Sequence, residues 1–460
     1  MRSIRAPVTG RTTLVSTGIV WFRRDLRLDD NPAWAAATRR HDRVIPLLVL
    51  EPTLLGRAGA HRRDAFLHAA DALDRELERL GGRLHVVNAE PTAAVTRMIA
   101  DHRAASVYAN ADVSRWAQRR DRAVDEATGG AVGWSWGSLV HPPGSVLTAK
   151  GTLSQVFTAF WRRWSSLPLP PEATPTAATI AADPGVGVPR PGDGPLIAPT
   201  TGWDGLLDRY ASTRDIPAVE GTSRLSTALR FGAVSPRRLV ESIGVATPDR
   251  EAFVRQLAWR DWYAHTTLGF PDIDRRSVRS EYDGVEWERG PEADRDFEAW
   301  QAGATGYPII DAGMRELATT GWMHNRVRML AASFLVKHLL IDWRRGERHF
   351  RHLLSDADPA QNAGNWQWIA GTGFDAAPYF RIFNPVTQSR RFDPEGTNIR
   401  RWVPEVAGLD RATIHAPWET APLELAAAGV VLDHTYPAPI IDHAFARERT
   451  LAVYSAALGR

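Results

Sequence analysis

The chain has 460 residues, 44% hydrophobic and 24% charged, with a formal net charge of +3 and a pI near 9.4. That length exceeds what one hydrophobic core normally serves, so two or more domains are expected, in a composition typical of globular proteins. The absence of cysteine excludes disulfides, thiolate catalysis and Cys-ligated zinc or iron–sulfur centres, while the slightly basic balance permits a nucleic-acid partner without requiring one.

The first fifteen residues are basic and lack a long apolar run, so no signal peptide is expected. The longest apolar stretch, Val44–Leu50, is too short to cross a bilayer. Short apolar runs then alternate with helical patterns. GIVWF (Gly18–Phe22), VIPLLVL (Val44–Leu50), LHVVN (Leu84–Asn88) and SVYAN (Ser106–Asn110) read as buried strands. Between them, Phe66, Leu67, Leu73, Leu77 and Leu80 share one stripe of a helix over Arg63–Leu80. Such alternation predicts βαβ units, hence a Rossmann-like, doubly wound parallel sheet over residues 15–140. No GxGxxG and no GxxxxGK[ST] follows any strand, which leaves a dinucleotide or P-loop site without support.

Pro168–Pro199 is rich in proline, with glycine and alanine between, and reads as an extended connector within an interdomain linker over 141–202. From Trp203 the periodicity is helical, which predicts an all-α domain over 203–460. Its clearest segment, Asp311–Trp343, reads as two helices broken at Thr320–Gly321.

Four stretches of the second half carry candidate chemistry. In EGTSRLSTALRFGAVSP (Glu220–Pro236) hydroxyls surround an arginine just before a helical run, which suits an anion or a plain helix cap. In RQLAWRDWYAH (Arg255–His265), Gln256, Trp259, Arg260 and Tyr263 fall at i, i+3, i+4 and i+7. That mixed stripe suits a cavity that stacks flat rings and bonds their edges, or an amphipathic helix with tryptophan in the core. GWMHNRVRML (Gly321–Leu330) puts Asn325, Arg328 and Met329 on one side, for a site or for a solvated basic face. SDADPAQNAGNWQW (Ser355–Trp368) gathers acids, amides and indoles without a nucleophile. Asp356 and Asp358 suggest a carboxylate pair for acid–base work or a metal, the metal only weakly and a glycoside hydrolase more weakly still, with turn chemistry before a helix as the plain alternative.

Read together, these stretches resemble the photolyase/cryptochrome family, and class I cyclobutane pyrimidine dimer photolyases within it. The likeness runs from VWFRRDLRLDDNPAW (Val20–Trp34) to YPAPIIDHAFAR (Tyr436–Arg447), through EGTSRLS, TGYPIIDAGMREL, TGWMHNRVRM, LLIDWRRGERHF, GNWQW and DAAPYFRIFNP. Each motif is weak alone; their order and spacing carry the resemblance. It implies an N-terminal α/β domain joined to a helical domain holding FAD, working as FADH⁻. The implied reaction is light-driven electron donation to a pyrimidine dimer flipped out of DNA. The cofactor would do the hard chemistry while the protein orients it.

Carried over by position, the resemblance implies that Tyr210, Thr222, Ser223, Arg224, Leu225 and Ser226 hold the flavin's phosphates and sugar chain, with Gln256, Arg260 and Asn325 in the same cleft. Asp356 and Asp358 would contact its ring and ribityl parts, with Arg328 paired to Asp356, and Asn362 would accept from flavin N5–H. Trp366, Trp343 and Trp287 would form an electron-transfer chain, Trp366 innermost and Trp287 at the surface. Gln256, Trp259, Asn325, Met329 and Trp368 would line the dimer pocket, and Arg214, Arg326, Arg381 and Arg391 a basic rim clamping DNA phosphates. Gln256 departs from the glutamate common in the family, and Asn325 stands where (6-4) enzymes carry histidine. LEPTLLGRAGAHRRDAFL (Leu50–Leu67) and YANADVSRWAQRRD (Tyr108–Asp121) resemble binders of an 8-hydroxy-5-deazaflavin antenna rather than methenyltetrahydrofolate, with Arg63 and Asp112 as contacts; an empty cleft is the alternative. UV-damaged DNA as partner, no membrane, a monomer and a cytoplasmic location complete the expectation. A blue-light sensor with the same flavin and tryptophans is the competing one, although the chain ends soon after Arg447, without a long tail.

Overall fold

The computed structural model describes residues 16–459, so the basic N-terminal segment and the expected domain start at residue 15 lie outside the described residues. Five strands, β1 (Thr17–Phe22), β2 (Arg43–Leu50), β3 (His85–Asn88), β4 (Ser106–Asn110) and β5 (Val132–Ser135), form a parallel sheet in the order β3-β2-β1-β4-β5. β1 is buried along its whole length, as a sheet covered on both faces demands. Alternate side chains serve alternate faces. Val20 and Phe22 pack with Leu48, Leu73 and Leu77, the last two from α1 (Ala60–Arg79). Ile19 and Trp21 pack with Ile45, Val95, Met98 and Val124 on the other side.

The sequence pattern anticipated four strands and missed β5, whose VGWS has only one buried position. The expected connector is also more structured than its prolines suggest. Thr179–Ile180 adds a short parallel strand to Arg43 and Val44 at the start of β2. The expected linker span 141–202 includes a helix, Phe157–Ser166, whose Phe157, Phe160, Trp161 and Trp164 belong to the core of the helical half.

Among the helices of the second half, four position the cleft: α2 (Pro248–Gly269), α3 (Asn325–Ser333), α4 (Trp343–Leu353) and α5 (Pro359–Ala370). The expected break at Gly321 is present; Gly321 takes φ +69° and caps the helix Pro308–Thr320. α2 and α5 cross closely because Gly364 leaves room for the ring of Tyr263, where any Cβ would collide. Tyr263 then donates its hydroxyl to Asn365 Oδ1 at 3.0 Å.

The segment after β1 ties the two halves together through Leu26 and the buried Arg27, whose bond to Gly232 crosses between them. Leu26 N donates to Phe231 O at 2.9 Å, and Arg27 donates to the carbonyls of Gly232 (2.9 Å), Asp30 (2.8 Å) and Gly137 (2.7 Å). No described helix is long and apolar enough to cross a membrane.

Candidate functional site

A cavity of about 450 Å³ opens among α2, α3, α5 and the segments Tyr210–Ser226 and Leu354–Asp358. All residues expected to hold the flavin line it: Tyr210, Thr222, Ser223, Arg224, Leu225, Ser226, Gln256, Arg260, Asn325, Arg328, Asp356, Asp358 and Asn362. The expected dimer-pocket residues Trp259, Met329 and Trp368 line the same cavity, as does Arg214. Residues far apart in sequence therefore converge on one concave site.

The side chains are held by buried polar contacts. Arg328 grips Asp356 with both ends of its fork, at 3.0 and 2.9 Å, and donates Nε to Met323 O at 2.7 Å. Asp358 caps α5: Oδ1 accepts from Ala360 N and Gln361 N at 3.1 Å each, and Oδ2 pairs with Arg24 at 2.7 Å. Burial works against ionisation of Asp358, yet Arg24, Arg230 and Arg260 outweigh it and hold the carboxyl below its ordinary value. Burial pushes the Arg260 guanidinium down to about 10, and its donors go to the carbonyls of Ser138 and Leu229.

Asn362 is oriented by α4. Its Nδ2 donates to Glu347 O at 3.0 Å and to Glu347 Oε1 at 2.8 Å. Both partners are acceptors, so the amide nitrogen must face them and Oδ1 is left for the cavity. Glu347 is 1% exposed; burial raises its carboxyl above the ordinary value, against the opposing charge of Arg351 at 2.8 Å. Glu347 escaped the sequence reading because nothing local to RRGERHF reports a contact fifteen residues onward.

Trp366 lies at the cavity wall, 2% exposed, with Phe350 at 5.0 Å edge-on and Trp300 at 6.2 Å. Its six-membered ring lies against Gly346 of α4, where a Cβ would collide with it. Trp343 is wholly buried in the same core, and Trp287 packs partly exposed at its edge, 6.1 Å from Tyr454. The three indoles thus differ in place: Trp366 at the cavity wall, Trp343 in the core and Trp287 at its margin.

The expected rim arginines differ in their surroundings. Arg381 and Arg391 are exposed. Arg326 is not free: it pairs with Asp215 at 2.7 Å and lies over Phe392 at 4.3 Å. Arg214 donates to Gln256 Oε1 at 3.3 Å and Gln256 Nε2 donates to Ala252 O at 3.1 Å, so both ends of the Gln256 amide already have a partner.

A second cavity of about 650 Å³ lies between the sheet domain and the helical half, lined by Trp21, Arg23, Arg24, Arg62, Arg63, Phe66, Asp112, Trp116, Arg230 and Arg351 among others. It sits beyond the carboxyl ends of β1 and β4, where the sheet order reverses, the place at which doubly wound sheets bind ligands. Arg23 Nε, Arg24 Nε, Arg230 Nη1 and Glu51 Oε2 are buried there without partners. Arg63 and Asp112 both line this cavity, but Asp112 is committed to Arg24 at 2.9 Å. Arg24 therefore bridges the two cavities through Asp112 and Asp358, a role the sequence did not announce. Among the described residues no cluster suits a metal ion.

Comparison with known proteins agrees with this architecture. The family model for the FAD binding domain of DNA photolyase matches residues 253–456, and that for DNA photolyase matches 18–178. A deoxyribodipyrimidine photo-lyase of Agrobacterium fabrum is 39% identical, over 95% of this chain and 97% of the relative. The crystal structure of a bacterial class III photolyase from Agrobacterium tumefaciens superposes with TM-score 0.87 at 36% identity, covering 99% of this chain and 100% of that one. The structure of a Synechocystis cryptochrome superposes with TM-score 0.85 at 26% identity, over 96% and 100% of the two chains.

Proposed function

Because this chain belongs to the DNA photolyase family, whose FAD-binding domain spans its helical half, we propose that it repairs cyclobutane pyrimidine dimers in DNA under light. The observation that carries the reading is one cavity with two kinds of wall. Asp356, Asp358, Arg328 and Asn362 suit a flavin's polar edges, while Trp259, Trp368 and Met329 suit an extruded pyrimidine dimer.

The bound flavin would supply light-excited electron donation to the dimer. The protein's part is positional. Thr222, Ser223, Arg224 and Ser226 offer hydroxyls and a cation for phosphates, beside Tyr210 and Leu225. Asn362, locked by Glu347, presents an acceptor suited to flavin N5–H, while Gln256 and Asn325 line the part of the cavity suited to a pyrimidine edge, which Gln256 would meet by exchanging its bonds to Arg214 and Ala252. Trp366, Trp343 and Trp287 offer an oxidisable route outward for reloading the flavin with an electron. Arg381 and Arg391 would meet phosphates, aided by Arg214 and by Arg326 if it leaves Asp215.

Residues 203–460 form the catalytic part in this reading, and residues 15–140 the antenna part. The second cavity takes the antenna, an 8-hydroxy-5-deazaflavin with methenyltetrahydrofolate as alternative, near Arg63 and Asp112. Its support is the cleft at the sheet's switch point and the unpartnered guanidinium donors there. DNA as partner, a monomeric working unit and a cytoplasmic location complete the reading.

The competing sensor needs the flavin and the tryptophans but not the dimer pocket. Dark binding separates the two. The flavin-loaded protein should hold a duplex with one thymine dimer far more tightly than the same duplex undamaged, and Trp259→Ala with Trp368→Ala should erase the difference. Equal affinity of the wild-type protein for both duplexes would favour the sensor.

A further inference from the structure

Trp259 is gripped from behind. The ring of Phe157 lies 3.6 Å from its indole with planes only 9° apart, the closest and among the flattest aromatic contacts described in the chain. Phe157 is 2% exposed and does not line the cavity, so it covers one indole face and leaves the other to the site. Its helix, Phe157–Ser166, begins without a side-chain cap of its own. Instead, Phe157 N donates to Asp375 Oδ2 at 3.0 Å, across 218 positions of sequence.

Asp375 belongs to the turn that closes the other wall. Thr372 N and Gly373 N donate to Gln367 O at 3.0 and 3.2 Å, and Ala377 N donates to Trp368 O at 3.2 Å. Within this wrap Asp375 takes φ +46°, a left-handed conformation that non-glycine residues adopt reluctantly and that turns its carboxylate toward Phe157. One continuous path therefore runs from Trp259 through its stack on Phe157, through the bond to Asp375, to the carbonyl of Trp368.

We infer that Phe157 and Asp375 form a strap that fixes the spacing and tilt of Trp259 relative to Trp368, which makes both positioning residues for lesion recognition. The inference rests on the reading that these two indoles hold a flipped dimer. A flat stack holds the indole in one orientation before DNA arrives, so binding spends less on ordering it. An aliphatic side chain fills the space behind Trp259 but does not hold its plane.

The test compares dark affinities of flavin-loaded variants for a thymine-dimer duplex and for its undamaged counterpart. Phe157→Leu should weaken dimer binding about three- to tenfold, the range an aromatic pair contributes beyond its area, and leave undamaged-duplex binding and flavin content unchanged. Phe157→Tyr should restore the affinity, and Asp375→Ala should reproduce the loss. On a Trp259→Ala background, Phe157→Leu should cost nothing further, because there is no indole left to position. Unchanged dimer affinity in Phe157→Leu, or an equal added loss on the Trp259→Ala background, would overturn the strap. So would equal weakening on both duplexes, which marks general damage. If the wild-type protein itself fails to distinguish the duplexes, the repair reading fails first, and the strap with it.

Discussion

Replacing Arg24 by methionine removes a side chain that joins the two cavities by ion pairs on both sides. Its guanidinium pairs with Asp112 at 2.9 Å and Asp358 at 2.7 Å, and the two carboxylates are only 11% and 7% exposed. Removing one partner of a buried pair costs about 3–5 kcal/mol, because a charge is left without compensation. Asp112 keeps a bond from Ser114 N, and Asp358 keeps two from the start of α5, so a loss near 3 kcal/mol is expected. The pH dependence supplies a check that lost packing cannot imitate. Burial alone would raise both carboxyls, but Arg24, the largest of the opposing charges, together with Ser114 N and Arg230 at Asp112 and with Arg230 and Arg260 at Asp358, outweighs it and holds each below the ordinary value of 3.8. Carboxyls depressed in the folded state contribute stability that is present above the unfolded pKa and lost as pH falls through the folded one. The gap between wild type and Arg24→Met should therefore be full at neutral pH and shrink below about pH 4. Denaturant unfolding of the flavin-loaded protein across that range measures it. A gap under about 1 kcal/mol at pH 7, or one that ignores pH, would refute the bridge.

Trp366→Phe should block photoreduction of bound flavin without reducing flavin content, followed by flavin absorbance under blue light; an unaltered rate would remove Trp366 from the route. Asn362→Ala should cost about 1–3 kcal/mol of stability, because Glu347 loses the amide that satisfies it inside the core, and the reduced flavin should reoxidise faster in air. Arg381→Ala with Arg391→Ala should lower the slope of log affinity against log salt by about 2 on damaged and undamaged DNA alike. Their preference for the dimer should remain.

How much of this was legible in the sequence depended on whether the signal is local. β1 to β4 could be read because a strand covered on both faces is a run of apolar residues, while β5, half exposed, carries no such run. The stripe Gln256, Trp259, Arg260 and Tyr263 could be read because helical spacing fixes a shared face, and all four line the cavity. The hydrogen bond from Asn362 to Glu347, the double pairing of Arg24 and the stack of Phe157 on Trp259 are long-range contacts that no periodicity encodes. The helix Phe157–Ser166 was hidden for another reason. It is a single short element beside a proline-rich run, and its apolar face makes sense only against α2. Arg326 is the converse case: its place in the sequence suggests a free basic group, and its pairing with Asp215, more than a hundred positions away, is not encoded locally.

The central claim is light-driven repair, and one assay tests it most directly. Purified protein with its flavin reduced is mixed with an oligonucleotide carrying a single thymine cyclobutane dimer, and parallel samples are kept in blue light and in darkness. Restoration of the two thymines in the illuminated sample alone is the predicted result, and it would also show that Gln256 is compatible with repair. No restoration in light, with flavin bound and reduced, would contradict the account and leave the cavity to a sensor.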